Sequence, residues 1–223
     1  MGYKNLDMPK VEEAVRNLLI ALGEDVERSG LVDTPRRVAK YWAELLEGED
    51  YTNEEIANMF RKDFQVGYDS IVIKEIRNVY SNCEHHTVPM AGSVYVAYIP
   101  EQWEPGNPDS GYRVIGLSKI PRIVKMCSHR LQLQEKLNAD IAECIQYATG
   151  SNRVYVRSVM DHFCVSSRGA ASEGLTDCTY ISPTLREDAE AWKEIEGYLK
   201  ALQSDGQFAD TFDQVPPHVQ TIY

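Results

Sequence analysis

The residues of this chain best suited to chemistry stand in two short clusters, Cys83-Glu84-His85-His86 and, far downstream, His162-Phe163-Cys164. A thiolate and an imidazole spaced as Cys83 and His86 are can reach one metal ion, and a distant Cys can close the site. Zinc takes nitrogen and sulfur ligands, and three protein ligands leave a fourth position for water or substrate, as in catalytic zinc centres. The clusters hold more donors than such a centre uses, so at least one imidazole is left for proton transfer. That combination points to metal-assisted hydrolysis. Two plainer readings stand beside it. Buried Cys commonly behaves as a small hydrophobe, and a closed structural zinc site would use all four ligand places. Structural sites favour paired short spacings such as Cys-x2-Cys with His-x3-His; neither cluster has that form, and both fall at the ends of predicted strands.

The elements that must position these clusters are legible from periodicity. Val11, Val15, Leu18, Leu19 and Leu22 recur at helical spacing, with Pro9 in the first turn and Gly23 as a stop. A second helix opens at Asp33-Thr34-Pro35, buries Val38, Trp42, Leu45 and Leu46, and is expected to end at Gly48. Thr52 and Glu55 form a capping box for a short third helix. After Asp69 the pattern turns to strands, at Ile71–Ile73 and Val94–Ile99, and the strands over 69–79 and 94–99 are expected to leave open sheet edges. Residues 101–113, rich in Pro, Gly, Asn and Asp, read as an exposed loop. One long helical stretch is expected from Ser118 to Ala148, stopped at Gly150, then a strand from Val154 that delivers His162 and Cys164. An acidic helix over Leu185–Leu202 precedes a tail containing Pro216-Pro217. The whole reads as one α+β domain, divided into an N-terminal helical segment (1–66), a catalytic segment (67–182) and a C-terminal acidic helix and tail (183–223).

Composition sets the bounds. A chain of 223 residues, 43% hydrophobic, can build a substantial core. No apolar run approaches the roughly 18 residues of a membrane helix, and Met1–Lys10 lack the apolar stretch of a secretory signal. Five Cys without framework spacing point to reduced thiols in a cytoplasmic setting. A net charge of −11 argues against nucleic acid as a partner. It leaves room for a small phosphorylated ligand held by local cations.

Several longer segments carry a resemblance. Ser81-Asn82-Cys83-Glu84-His85-His86, Val114-Ile115-Gly116-Leu117-Ser118-Lys119, Arg130-Leu131-Gln132-Leu133-Gln134-Glu135, and His162-Phe163-Cys164 with Arg168-Gly169 are similar to motifs of the GTP cyclohydrolase I family. So is Asp33-Thr34-Pro35-Arg36-Arg37-Val38-Ala39-Lys40, and the motifs follow the family's order over about residues 10–180. The resemblance implies a tunnelling fold, an antiparallel four-stranded sheet with helices on one side. It also implies a ring-forming homo-oligomer, a decamer of two stacked pentamers with active sites between subunits. Three departures from the family pattern stand out. The 101–113 loop is longer than usual, Thr87-Val88-Pro89-Met90 stands where Leu-Leu-Pro-Phe is common, and beyond Thr179 the final strand and Gly turn give way to Ser182-Pro183-Thr184 and the acidic helix.

By the same resemblance Cys83, His86 and Cys164 bind Zn2+, and GTP is the substrate. Its guanine imidazole ring is hydrolysed to give 7,8-dihydroneopterin triphosphate and formate, the first step towards folate, other pterins or deazaguanines. His162 corresponds to the proton donor at the purine N7, and His85 to a second acid/base, for which a loop-orienting role is the plainer alternative. Glu135 and the Gln134 backbone correspond to the guanine contacts. Ser118, Lys119, Arg122, Arg168, Arg37 and Lys40 are the candidates for the triphosphate, the first three at a helix start where backbone N–H groups also favour anions. Two other classes compete with this reading: a tunnelling-fold nitrile reductase with a Cys nucleophile, and a zinc-stabilised GTP-binding assembly without turnover. The His85/His86 pair with His162-x-Cys164 argues against the reductase.

Overall fold

The computed structural model describes residues 3–67 and 70–204; Asp69 and the Pro216-Pro217 tail lie outside them. Helix α1 (Met8–Ala21) starts where the Asp7 side chain accepts the Lys10 N–H, with Pro9 in its first turn. Helix α2 (Thr34–Leu45) packs against it. Gly48 does not stop α2; it lies in a 3-10 turn over Glu47–Asp50, where a Cβ would come within 2.0 Å of the Met126 carbonyl oxygen. The capping box of Thr52 and Glu55 opens α3 (Asn53–Phe60) as the sequence predicts.

Strand β1 (Asp63–Val66) leads to β2 (Val72–Cys83), which turns back antiparallel into β3 (Pro89–Tyr98). The 101–113 region is the expected loop over 103–111, exposed over 104–107 and carrying a 3-10 turn at Pro108–Ser110, but its two ends are strand. It supplies β4 (Glu101–Gln102) and β5 (Tyr112–Ile115), which pair with each other, and β5 also pairs with β1 to make a three-stranded sheet. The last strand of the 1–66 segment therefore belongs to a sheet of the central segment. Helix α4 (Lys119–Ser128), the two-residue β6 (Leu131–Gln132) and α5 (Gln134–Thr149) follow. Strand β7 (Val154–His162) runs into the single-turn α6 (Phe163–Ser166). Strand β8 (Thr176–Ile181) continues past Thr179, and α7 (Pro183–Glu187) and α8 (Ala189–Ser204) close the described chain.

The main sheet has the order β6-β2-β3-β7-β8. Its four long strands are antiparallel, as the resemblance implies, and β6 adds a short parallel fifth at the outer edge of β2. The Val94–Ile99 stretch is central, contrary to expectation. The open edges belong to β2 before Asn82 and to β8, with no partner strand among the described residues.

Side chains alternate across the sheet. Val94, Val96, Tyr98, Val154 and Val156 face α3, α4 and α5, where Ile56, Ile123, Leu137, Ile141 and Ile145 complete the main core. Each such aliphatic side chain taken from water contributes roughly 1.5–3 kcal/mol. The opposite face is apolar too, and helices cover it as well. Ala97, Ile99 and Tyr155 pack against Leu185, Ala191 and Ile195 of α7 and α8, so the helices are not confined to one side. Among the described residues no helix is long and apolar enough to cross a membrane.

The single helix expected over Ser118–Ala148 is two helices, broken by a buried arginine. Arg130 donates to the carbonyls of Gly48 (3.1 Å) and Tyr51 (2.8 Å), to Asn53 Oδ1 (2.7 Å) and to Asp140 Oδ2 (3.0 Å). Asp140 also accepts from Gln132 (2.9 Å) and Lys136 (2.6 Å). Burial alone would raise the Asp140 carboxyl, but the bonds from Lys136, Gln132 and Asn53 outweigh it and hold the group below its ordinary value. A carboxylate so depressed contributes stability above the unfolded pKa of about 3.9 and loses it as pH falls through the folded value. Asp140→Ala is expected to cost about 3–5 kcal/mol at pH 7, the scale for stranding a buried charge. In urea unfolding the gap from wild type should narrow as pH drops below about 4; a gap independent of pH would rule out this role for Asp140.

Candidate metal centre and active site

A tight hairpin brings the first two metal-ligand candidates together. Cys83 ends β2, its N–H donates to Val88 O (2.9 Å) and its carbonyl accepts from Thr87 N (2.8 Å). Thr87 takes φ 56° to close the turn. The turn carries His86 back over the buried Cys83, with Cys83 Sγ and His86 Nδ1 4.0 Å apart. The third candidate arrives through the sheet register: Met90 pairs with His162, so the end of β7 lies beside the start of β3 and α6 begins there. Cys164, in α6, sits with its Sγ 4.0 Å from that of Cys83. Ligand atoms of Cys83, His86 and Cys164 all lie within 4.8 Å of one another.

This donor set fits a metal. Tetrahedral bonds of about 2.3 Å to sulfur and 2.0 Å to nitrogen would separate two sulfurs by about 3.8 Å and a sulfur from a nitrogen by about 3.5 Å. Burial, then the neighbouring Cys83, push the Cys164 thiol up, while the Arg168 charge pulls it partly back. Two such sulfurs become thiolates together when a cation lies between them.

Around this group stand several other candidates. His162 is half-buried, with Nε2 2.7 Å from Gln134 Oε1. Burial lowers its pKa, opposed by the charges of Asp161 and Glu135. Glu135 is exposed in the first turn of α5, close enough for its charge to be felt at both His162 and the Cys178 thiol. His85 is exposed on the hairpin turn, its ring 6.2 Å from that of His86 and nearly perpendicular to it. Arg168 is exposed just after α6. Arg37 and Lys40 are exposed on α2, with Arg37 3.4 Å from Asp33. That helix touches the site strand through Tyr41, whose hydroxyl donates to Asn82 Oδ1 at 3.1 Å.

Ser118, Lys119 and Arg122 are not brought to this group. The Ile115 N–H donates to the Tyr98 hydroxyl, at the far end of a 10-residue strand that spans about 30 Å. Helix α4 approaches the site with its other end, where Ser81 donates to Ser128 O at 2.7 Å. Its start is one helix length away, about 15 Å for 10 residues.

The side chains of Arg130 and Gln134 and the Tyr41–Asn82 bond are parts of the site that sequence reasoning missed. For the first two a signal existed. Leu131 and Leu133 alternate with Gln132 and Gln134, and a period of two inside an apparently helical stretch marks extended chain.

Comparison with known proteins agrees with the geometry. The family model described as GTP cyclohydrolase I matches residues 11–199. The protein named GTP cyclohydrolase 1 of Clostridium acetobutylicum is 41% identical over 204 residues, covering 88% of this chain and 100% of that protein. Its namesake from Streptococcus thermophilus is 40% identical over 192 residues, 86% of this chain and 96% of the other. Among solved structures, apo archaeosine synthase QueF-Like aligns at 20% identity and a TM-score of 0.36, covering 51% of this chain and 93% of that one.

Metal analysis of the purified protein should find one divalent ion per chain, lost when Cys83→Ala or Cys164→Ala removes a sulfur. His162→Ala should keep the ion and lose on the order of 10²–10⁴ in rate, the worth of a positioned proton donor. Full occupancy in both Cys variants, or loss of the ion with His162, would overturn this division of roles.

Proposed function

The chain belongs to the GTP cyclohydrolase I family, and on that premise we propose that it hydrolyses the guanine imidazole ring of GTP, releasing formate and 7,8-dihydroneopterin triphosphate. The observation that carries the reading is the Cys83–His86–Cys164 group with His162 and Glu135 beside it in one chain. Zinc held by these three side chains supplies Lewis acidity at the position they leave open. Glu135 accepts hydrogen bonds from the N1–H and 2-amino edge of guanine, flanked by the Gln134 backbone. His162 moves protons at N7 as the ring opens, and His85 does so nearer the ribose. The pathway served is pterin, folate or deazaguanine synthesis, in the cytoplasm.

The triphosphate needs cations, and the same chain offers Arg168, whose charge acts on the Cys164 thiol, and Arg37 and Lys40 on α2, the helix joined to the site strand through Tyr41. Ser118, Lys119 and Arg122 enter the same scheme from a second copy. Their separation from the metal group by a helix length supports a site shared between subunits. The open edges of β2 and β8 support the same arrangement, with copies paired edge to edge in a ring. We read the assembly as the tunnelling fold, two stacked pentamers with residues 67–182 as the catalytic unit and 1–66 and 183–223 as its additions.

Incubation with GTP should yield formate and, after oxidation, neopterin fluorescence; binding without turnover would make the protein a non-catalytic GTP-binding assembly. The shared site has its own test. Lys119→Ala and His162→Ala oligomers should each be inactive, and co-assembly in equal amounts should restore about a quarter of the sites. No recovery in verified mixed oligomers would exclude sharing.

A two-by-two comparison separates the ends of the substrate. Arg168→Ala should weaken GTP about tenfold to a hundredfold and leave guanosine unaffected. Glu135→Gln should weaken both. Equal penalties for GTP and guanosine in Arg168→Ala would remove Arg168 from the phosphate site.

A further inference from the structure

The side-chain amide of Gln134 has one orientation open to it. Its Nε2 lies 3.0 Å from Ser158 O, 3.0 Å from Ser158 Oγ and 2.9 Å from Thr176 O, and the residue is only 2% exposed. A flipped amide would set its oxygen against two carbonyl oxygens, lone pair to lone pair, so the NH2 group must face them. Oε1 then faces His162 Nε2 at 2.7 Å. An amide oxygen only accepts, so the hydrogen between them belongs to the imidazole.

We infer that Gln134 is a positioning residue that fixes neutral His162 as its Nε2–H tautomer, leaving Nδ1 as the nitrogen that exchanges protons with the substrate. The inference rests on the proposed catalytic role of His162. Its anchor is rigid: Ser158 and Thr176 belong to the paired strands β7 and β8, and Gln134 opens α5, so three elements hold the amide. The hydrogen bond at one ring nitrogen decides which tautomer the other presents. Glu135 follows Gln134 directly, so the residue that binds the base and the residue that aims the imidazole share one turn of helix. The Gln134 side chain, fully engaged in this way, has no free polar atom for guanine.

The test uses zinc-loaded full-length protein with 15N-labelled histidine, sedimented for solid-state NMR, the His162 signals being assigned by difference from His162→Asn. Neutral His162 should carry its hydrogen on Nε2. Gln134→Met, which removes the acceptor at similar volume, should redistribute the tautomers. It should also lower kcat by roughly tenfold to a hundredfold, the usual effect of losing the partner that orients a functional histidine, with zinc content and KM for GTP unchanged. A hydrogen on Nδ1 in the wild type overturns the inference even if Gln134→Met fails to assemble. A redistributed tautomer with unchanged kcat overturns the positioning role. Undiminished turnover in His162→Asn instead overturns the catalytic reading of His162, an outcome the wild-type spectrum does not mimic.

Discussion

A buried guanidinium is the constraint from which the geometry of the site follows. Arg130 brings five N–H donors, and only 6% of it is exposed. Its donors must therefore be satisfied from within the protein. Two backbone carbonyls, Asn53 and Asp140 do so, and to reach them the chain between α4 and α5 leaves the helical path. The extended segment that results forms β6, which pairs with Asn82 and Cys83 and fixes the end of the strand bearing the first metal-ligand candidate. Helix α5 then restarts at Gln134, next to His162. One charge that must be satisfied thus sets the position of residues on both sides of the proposed centre.

The centre is electrostatically incomplete by itself. Burial and then the Cys83 sulfur 4.0 Å away push the Cys164 thiol up, and burial disfavours the charged form of His162. A divalent cation relieves the first problem outright. The second is met part-way by Asp161 and Glu135, whose charges act against burial. The chain carries −11 overall, yet Arg37, Lys40 and Arg168 are exposed on elements that converge on this end of the sheet. In the proposed scheme, local cations in an acidic protein are a selective device that attracts a small polyanion without offering a general surface to nucleic acid.

How much of this was legible in the sequence depended on the range of the signal. The starts of the first three helices were legible from local signals, Pro9, Asp33-Thr34-Pro35 and the reciprocal Thr52–Glu55 bonds, while the end of the second, expected at Gly48, comes at Leu45. The metal-ligand candidates were legible because their chemistry limits what a Cys-x-x-His beside a strand end can do. The features that escaped depend on distant partners. No Gly or Pro marks the break at 129–133, because its cause is the carbonyls of Gly48 and Tyr51. The 101–113 segment has the composition of a loop and is one over 103–111; only its ends become sheet, because β1 lies beside β5 and β5 beside β4. Gly48 looks like a helix stop, but it is small because Met126 O approaches it. The second helical layer was foreshadowed only by apolar residues on both faces of β3, a pattern that a solvated sheet face would not carry.

The separation of α4's two ends gives the helix a double duty in the proposed assembly. Its C-terminal end is tied to its own chain's site strand by the Ser81–Ser128 bond, and through Gln132, which donates to Cys127 O, to the Arg130 network. Its N-terminal end carries Ser118, Lys119 and Arg122, a helix length from that site. A helix is stiff over this length, and α4 is pinned along its buried face by Ile120, Ile123, Val124 and Cys127. A displacement at one end is therefore carried to the other rather than absorbed between them. In a ring where the N-terminal end completes a neighbour's phosphate site, each active site is mechanically in contact with the next. Coupling of that kind requires two arrangements of the helix that substrate can choose between, and α4 is not sealed against the sheet along its whole length: a cavity of about 290 Å³ lies between it and β2, lined by Ile76, Val79, Pro121, Val124 and His129.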